Sequence, residues 1–304
     1  MIIPDQRNIK VHFAGAETLM FSNVIHDVGG ANYSLYTIFP FLAQKLGIPG
    51  GFKINDSYKD VAFNNMNKSR HTIQDSGLFT LMFGSHSGEK SPRFIENWYH
   101  GLVELTRENG FTGSVVEVDC QKVLGIKKAW ELRERMKIDL PDNRQINVFH
   151  LEDGHKGLDR MIEFSDYIAI SVPELRANGK KNYTQRLANY IKNKKPSIDI
   201  HLLGCTENKL LKELSFCSSA DSTSWVALNR FGWFSFHDGE KSFKGAKSSI
   251  NREYLLETYG DRIREAMRTA NVKEKESLVY YHSCGALQVE YFLKQYEIYG
   301  GPQN

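Results

Sequence analysis

The chain has only 4 cysteines in 304 residues, and no two of them form a Cys-x-x-Cys pair. That scarcity excludes a zinc ribbon and a dense disulfide framework, so Cys120, Cys205, Cys217 and Cys284 are expected as buried or free thiols. No run approaches the roughly 18 consecutive apolar residues of a membrane span. The first residues, Met1-Ile2-Ile3-Pro4-Asp5-Gln6-Arg7, lack a basic stretch leading into an apolar one. The expectation is a soluble, cytoplasmic protein with no membrane partner. Charge of one sign is scarce as well. The 39 Lys and Arg against 36 Asp and Glu leave +3, too little by itself to demand a polyanion. No Pro/Ser-rich block and no single-sign charge run marks a linker, which predicts one folded domain over residues 1–304.

What is present is core-forming material: 41% hydrophobic residues, with 18 Phe, 14 Tyr and 4 Trp, enough for a sizeable interior. Short β-rich runs alternate with longer amphipathic stretches, the pattern of parallel strands joined by helical crossovers. Strands are expected at residues 10–14, 71–75, 114–119, 146–150, 167–171, 198–203, 216–221 and 232–237. Helices are expected at 33–46, 93–109, 126–136, 157–164, 184–193 and 208–214, with two more at 252–269 and 277–299. This count predicts an α/β fold, a (β/α)8 TIM barrel with insertions, whose first unit is hidden in the irregular segment 15–70.

In such a barrel the chemistry sits at the carboxyl ends of the strands. Asp75, Asp119, His150, Ser171, Gly204 and Asp221 all fall at or just after such ends, so one mouth would gather three carboxylates and an imidazole. Asp75 and Asp221 are followed by small residues, Ser76-Gly77 and Ser222-Thr223, which let a ligand approach the backbone closely. Two carboxylates at one site suggest acid/base or nucleophilic work. Each has a plain alternative: a turn residue capping Ser76-Gly77 for Asp75, a helix N-cap for Asp119, a neutral packed ring for His150.

Four blocks, in order, resemble the tRNA-guanine transglycosylase superfamily, which exchanges guanine for a 7-deazaguanine base within a nucleic acid. Asp75-Ser76-Gly77-Leu78-Phe79 resembles its Asp-Ser-Gly-Gly-Phe-Gln motif, and Val118-Asp119 falls where an Asp recognises the base. His201-Leu202-Leu203-Gly204 resembles its His-Leu-Met-Gly strand, and Ser219-Ala220-Asp221-Ser222 the strand carrying the nucleophilic Asp. The Cys-x-Cys-x-x-Cys…His zinc site and the basic Pro-Thr-Arg segment of the tRNA enzymes are missing. The chain is thus more similar to the DNA-guanine transglycosylases of phages and bacterial DNA-modification clusters.

The resemblance implies Asp221 as nucleophile, Asp75 as general acid/base, and base recognition by Asp119, His150, Ser76, Gly77, Phe79, Ser171 and Gly204. It implies no cofactor and no metal, with DNA and a free 7-deazaguanine base such as preQ0 as partners. A tRNA transglycosylase and a non-catalytic nucleic-acid-binding paralogue are the rival readings, and a homodimer is left open. A guanine stacked in a duplex must be flipped or already unpaired, so basic residues are expected around the mouth. Lys180, Lys181 and Arg186 qualify, as do Lys241, Lys244 and Lys247 in a loop expected to follow the last barrel strand; a solvated loop is the alternative for the second group.

Overall fold

The computed structural model describes residues 9–17, 21–22, 25–26, 33–48, 56–79, 91–180, 182–226, 233–237, 242–246, 257 and 260–261. Eight parallel strands close into a barrel. They are β1 Lys10–Ala14, β2 Tyr33–Thr37, β3 His71–Asp75, β4 Ser114–Val116, β5 Arg144–Phe149, β6 Tyr167–Ser171, β7 Asp199–Leu203 and β8 Ser219–Ser222. Each pairs with its sequence neighbour, and β8 returns to β1 through Lys10–Ser219 and His12–Asp221. Helices α1 Phe39–Lys45 and α2 Asp56–Met66 follow β2, α3 Pro92–Glu108 follows β3, and α4 Gln121–Asp139 follows β4. The rest of the outer layer comprises α5 Gly154–Phe164 after β5, α6 Val172–Ala177 and α7 Tyr183–Lys194 after β6, and α8 Asn208–Glu213 after β7. Among the described residues no helix is long and apolar enough to cross a membrane.

The expected barrel is present, but one of its strands is not the expected one. Tyr33-Ser34-Leu35-Tyr36-Thr37, read from sequence as the start of a helix, is β2, and helix begins only at α1, where Pro40 occupies the first turn. A single apolar stretch holds both, and its aromatic first half prefers the pleated strand. With β2 in place the barrel is complete without residues 232–237. Trp233–His237 instead pairs antiparallel with Ser242–Ala246 in a separate two-stranded sheet, β9 and β10. Lys244, in the segment after the last barrel strand, lies on β10 opposite Ser235, whereas Lys181, Lys241 and Lys247 lie outside the described residues. Of the expected helix 252–269, Glu257, Gly260 and Asp261 are described and helical; 277–299 and Cys284 lie outside the described residues.

Strand periodicity fixes what faces inward. Ala14, Leu35, Ile73, Val116, Ile146, Val148, Tyr167 and Ala169 form the apolar part of the barrel interior, so Thr37, Asp75 and Ser171, two or four residues on, share that face. Below them the interior is polar. His12 Nδ1–H donates to the Lys10 carbonyl (3.0 Å), which leaves Nε2 to accept from His71 Nδ1 (2.9 Å) and His71 Nε2 to accept from the Ser114 hydroxyl (3.0 Å). Burial is the largest effect on both rings. It pushes His12 well down and, with Lys10 and Arg144 nearby, His71 to about 4, which keeps both neutral as this chain of bonds requires.

Outside the wall, Glu117 alternates away from the interior and meets Arg133 of α4 in a fully buried, two-pronged pair (2.6 and 2.8 Å). Glu117 also accepts from the Val148 N–H (2.9 Å) and the Asn147 amide (2.6 Å), tying β4 to β5 just before both strands reach the mouth. Breaking one partner of a buried pair leaves a charge that nothing compensates. Arg133→Leu should cost about 3–5 kcal/mol in urea unfolding, and Glu117→Leu combined with Arg133→Leu should restore much of it. A single-variant loss under about 1 kcal/mol would show that the pair does not hold this wall.

Candidate active site

Asp75, Asp119, His150, Ser171, Gly204 and Asp221 stand at or just after the carboxyl ends of β3, β4, β5, β6, β7 and β8; Asp119 meets His150, Gly204 meets Asp221, and Asp75 is within electrostatic range of both other aspartates. Asp221, on β8, is buried. Its Oδ1 accepts from His201 Nε2–H (3.0 Å) and from the Gly204 backbone N–H (2.8 Å). Among the described residues its other oxygen, Oδ2, has no hydrogen-bond partner. One oxygen is thus anchored and the other is left available.

Asp75, the last residue of β3, sits within electrostatic range of both other aspartates. Burial pushes its carboxyl up first, and the negative charges of Asp119 and Asp221 push it further, to about 7; the neighbouring Gly77 N–H and Thr37 hydroxyl pull only partly the other way. The Gly77 N–H opposes the shift only in part, and the repulsion from two carboxylates gives this side chain a titration near neutrality.

Asp119 is not a helix N-cap: Cys120 occupies that place, and Asp119 accepts from His150 Nε2 (2.9 Å). His150 Nδ1 donates in turn to Glu174 on α6 (2.6 Å), which is also paired with Lys122 on α4 (2.8 Å). Burial alone would lower His150, but the bonds to Asp119 and Glu174 and their charges raise it to about 10. Burial likewise works against Glu174, and His150 and Lys122 together bring it down to about 2. His150 is therefore an imidazolium across neutral pH, not a neutral packed ring. His150, Glu152 and Glu174 place potential metal-ligating atoms within 4.8 Å of one another. His150 bonds to Asp119 and Glu174, and Lys122 pairs with Glu174, so these side chains are joined in an ion-pair network.

The remaining predicted residues fall differently. Ser171 closes β6 and is buried on the inward face. Ser76 serves the turn: its hydroxyl is 3.5 Å from the Leu78 N–H and its carbonyl accepts from Trp98 Nε1 (2.8 Å). Gly77, at φ +73°, has Phe39 Cβ 2.7 Å and Thr37 Oγ1 2.8 Å from where a Cβ would stand, and Gly204, at φ +66°, has Pro173 Cγ at 2.8 Å. Both glycines therefore make room for the chain itself. Phe79, expected among the base-recognition residues, is 55% exposed. Lys180 and Arg186 are exposed on either side of the start of α7, which by topology lies on the mouth side of the barrel. Missed from sequence were Thr37, Lys122, Glu174 and the bond from His201 to Asp221. The signal for His201 was its inward parity on the strand beside Asp221; Glu174 and Lys122 carried none, being ordinary charges on helices.

Asp75 holds a proton in the folded protein up to about pH 7, where the ordinary aspartate value is 3.8. Between those two values only the unfolded chain has lost that proton, so the Asp75 contribution to stability falls as pH rises across the window. Carboxyl-carbon NMR should place the Asp75 titration near neutrality and move it downward in Asp221→Asn. Asp75→Asn should flatten the loss of stability between about pH 4 and pH 7. A titration near pH 4 in the wild-type protein would contradict the clustering.

No protein-family model matches this chain, and a search of curated proteins finds no match to it. The functional reading therefore rests on the geometry of the mouth and on the order of the four motif blocks.

Proposed function

We propose that the chain is a DNA-guanine transglycosylase that replaces guanine in DNA with a 7-deazaguanine base through a covalent aspartyl–sugar intermediate. The observation that carries this reading is the pairing of two unlike carboxyls in one mouth: Asp221, whose Oδ2 has no hydrogen-bond partner among the described residues, and Asp75, raised to about 7. A nucleophile and a general acid need opposite environments, and these two residues have them.

In the first half-reaction Asp221 Oδ2 attacks C1′, the C1′–N9 bond breaks, and its electron pair leaves with the guanine as Asp75 gives that base a proton. In the second, the incoming 7-deazaguanine gives its N9 proton to Asp75, N9 attacks C1′, and Asp221 departs as carboxylate. Two displacements retain the configuration of the sugar. Asp119 accepts from the N1–H and amino edge that guanine and 7-deazaguanine share, with the His150 imidazolium fixing its orientation. The absence from the sequence of the zinc-ligand pattern and the basic segment of the tRNA enzymes favours DNA as the polymer.

The test is to incubate the protein with DNA or tRNA carrying labelled guanine, together with free 7-deazaguanine bases, and to follow release of label. Release is expected from DNA. Asp221→Ala should abolish it, and Asp75→Ala should slow it by about 10²–10⁴-fold. Release from tRNA alone would overturn the choice of substrate, and release from neither would favour a non-catalytic nucleic-acid-binding protein.

A further inference from the structure

We infer that His201, Ser219 and Tyr167 form a one-way hydrogen-bond relay that fixes Asp221, making His201 a positioning residue for the nucleophile; its catalytic consequence rests on the function proposed above. The side chains come from three adjacent strands, β6, β7 and β8, and all point into the barrel. Tyr167 bonds to the Ser219 hydroxyl, Ser219 to His201 Nδ1 (2.6 Å), and His201 Nε2 to Asp221 Oδ1 (3.0 Å). Tyr167, Ser219 and His201 are all buried, so no bulk water competes for these bonds.

The direction of the relay follows from donors and acceptors. Burial pushes the Tyr167 phenol up, so it keeps its O–H, and among the described residues Ser219 is its only hydrogen-bond partner. Tyr167 must donate, because otherwise a buried hydroxyl hydrogen would have nowhere to go. Ser219, having accepted from Tyr167, turns its own hydrogen to His201 Nδ1. The ring then carries its hydrogen on Nε2, the tautomer that can donate to a carboxylate. The opposite order would aim a lone pair at Asp221.

This donation has a consequence for the nucleophile. His201 Nε2–H and the Gly204 N–H converge on the same oxygen, Oδ1, from two directions and stop the carboxyl from rotating. Oδ2 is thereby held as the reacting atom. The arrangement is separate from the Asp119–His150–Glu174 network: one serves the atom that attacks the sugar, the other the carboxylate that faces the base.

Histidine-¹⁵N-labelled protein should give a His201 pattern with Nε2 protonated and Nδ1 not, assigned by its loss in His201→Gln. Tyr167→Phe should mix the two tautomers at His201 while circular dichroism stays unchanged. In the exchange assay His201→Phe should lower kcat about 100-fold with KM for the incoming base unchanged, the cost of a misplaced reacting atom. His201→Gln, whose amide can still donate to Asp221, should recover part of it. A wild-type Nδ1–H tautomer, an unaltered His201 pattern in Tyr167→Phe, or equal kcat in wild type and His201→Phe would overturn the relay. If the ¹⁵N results hold but wild-type protein exchanges no base, the relay stands and the transglycosylase reading falls.

Discussion

Three carboxyl groups converge on one largely buried mouth, and like charges in such a place cannot be left without compensation. The surroundings answer differently for each. Asp75 takes up a proton near neutral pH. Asp119 is matched by an imidazolium that Glu174 and Lys122 hold in place. Asp221 receives two N–H donors on one oxygen. A uniform environment would have made the three groups chemically alike; these three partner sets give them separate roles.

Holding such a cluster asks much of the scaffold. The barrel supplies it by running polar networks on both sides of its wall. Inside, the His12–His71–Ser114 chain fills the lower half with neutral rings and a hydroxyl instead of the usual branched aliphatic side chains. Outside, the Glu117–Arg133 pair joins β4 and β5 below Asp119 and His150. Arg133 Nη1 also lies 3.7 Å from Asp153, whose other oxygen accepts from the His150 backbone N–H (3.0 Å). The charges of the mouth are thus braced by a second, fully buried set behind it.

Much of this was legible in the sequence because strand ends are local features. Asp75, Asp119, His150 and Asp221 each close a short β-rich run, and a parallel barrel sends all such ends to one side. The identity of β2 was less legible, since Tyr33–Thr37 merges into the apolar helix that follows and five residues are too few for periodicity to decide. That single misreading also moved Trp233–His237 into the barrel, whereas it pairs with Ser242–Ala246. Partnerships were the least legible part. Glu174, Lys122 and Thr37 act through side chains brought together by folding from separate elements, and nothing in their local sequence distinguishes them from ordinary surface or turn residues.

In the proposed reaction Asp221, held by one oxygen, forms a bond to the sugar with the other. The most direct measurement is to quench the protein during reaction with guanine-containing DNA, digest both, and search by mass spectrometry for a peptide carrying a deoxyribose fragment. The account predicts that mass on the peptide containing Asp221, and its disappearance when the incoming 7-deazaguanine is added in excess. A sugar found on the peptide of Asp75 or Asp119 would contradict it.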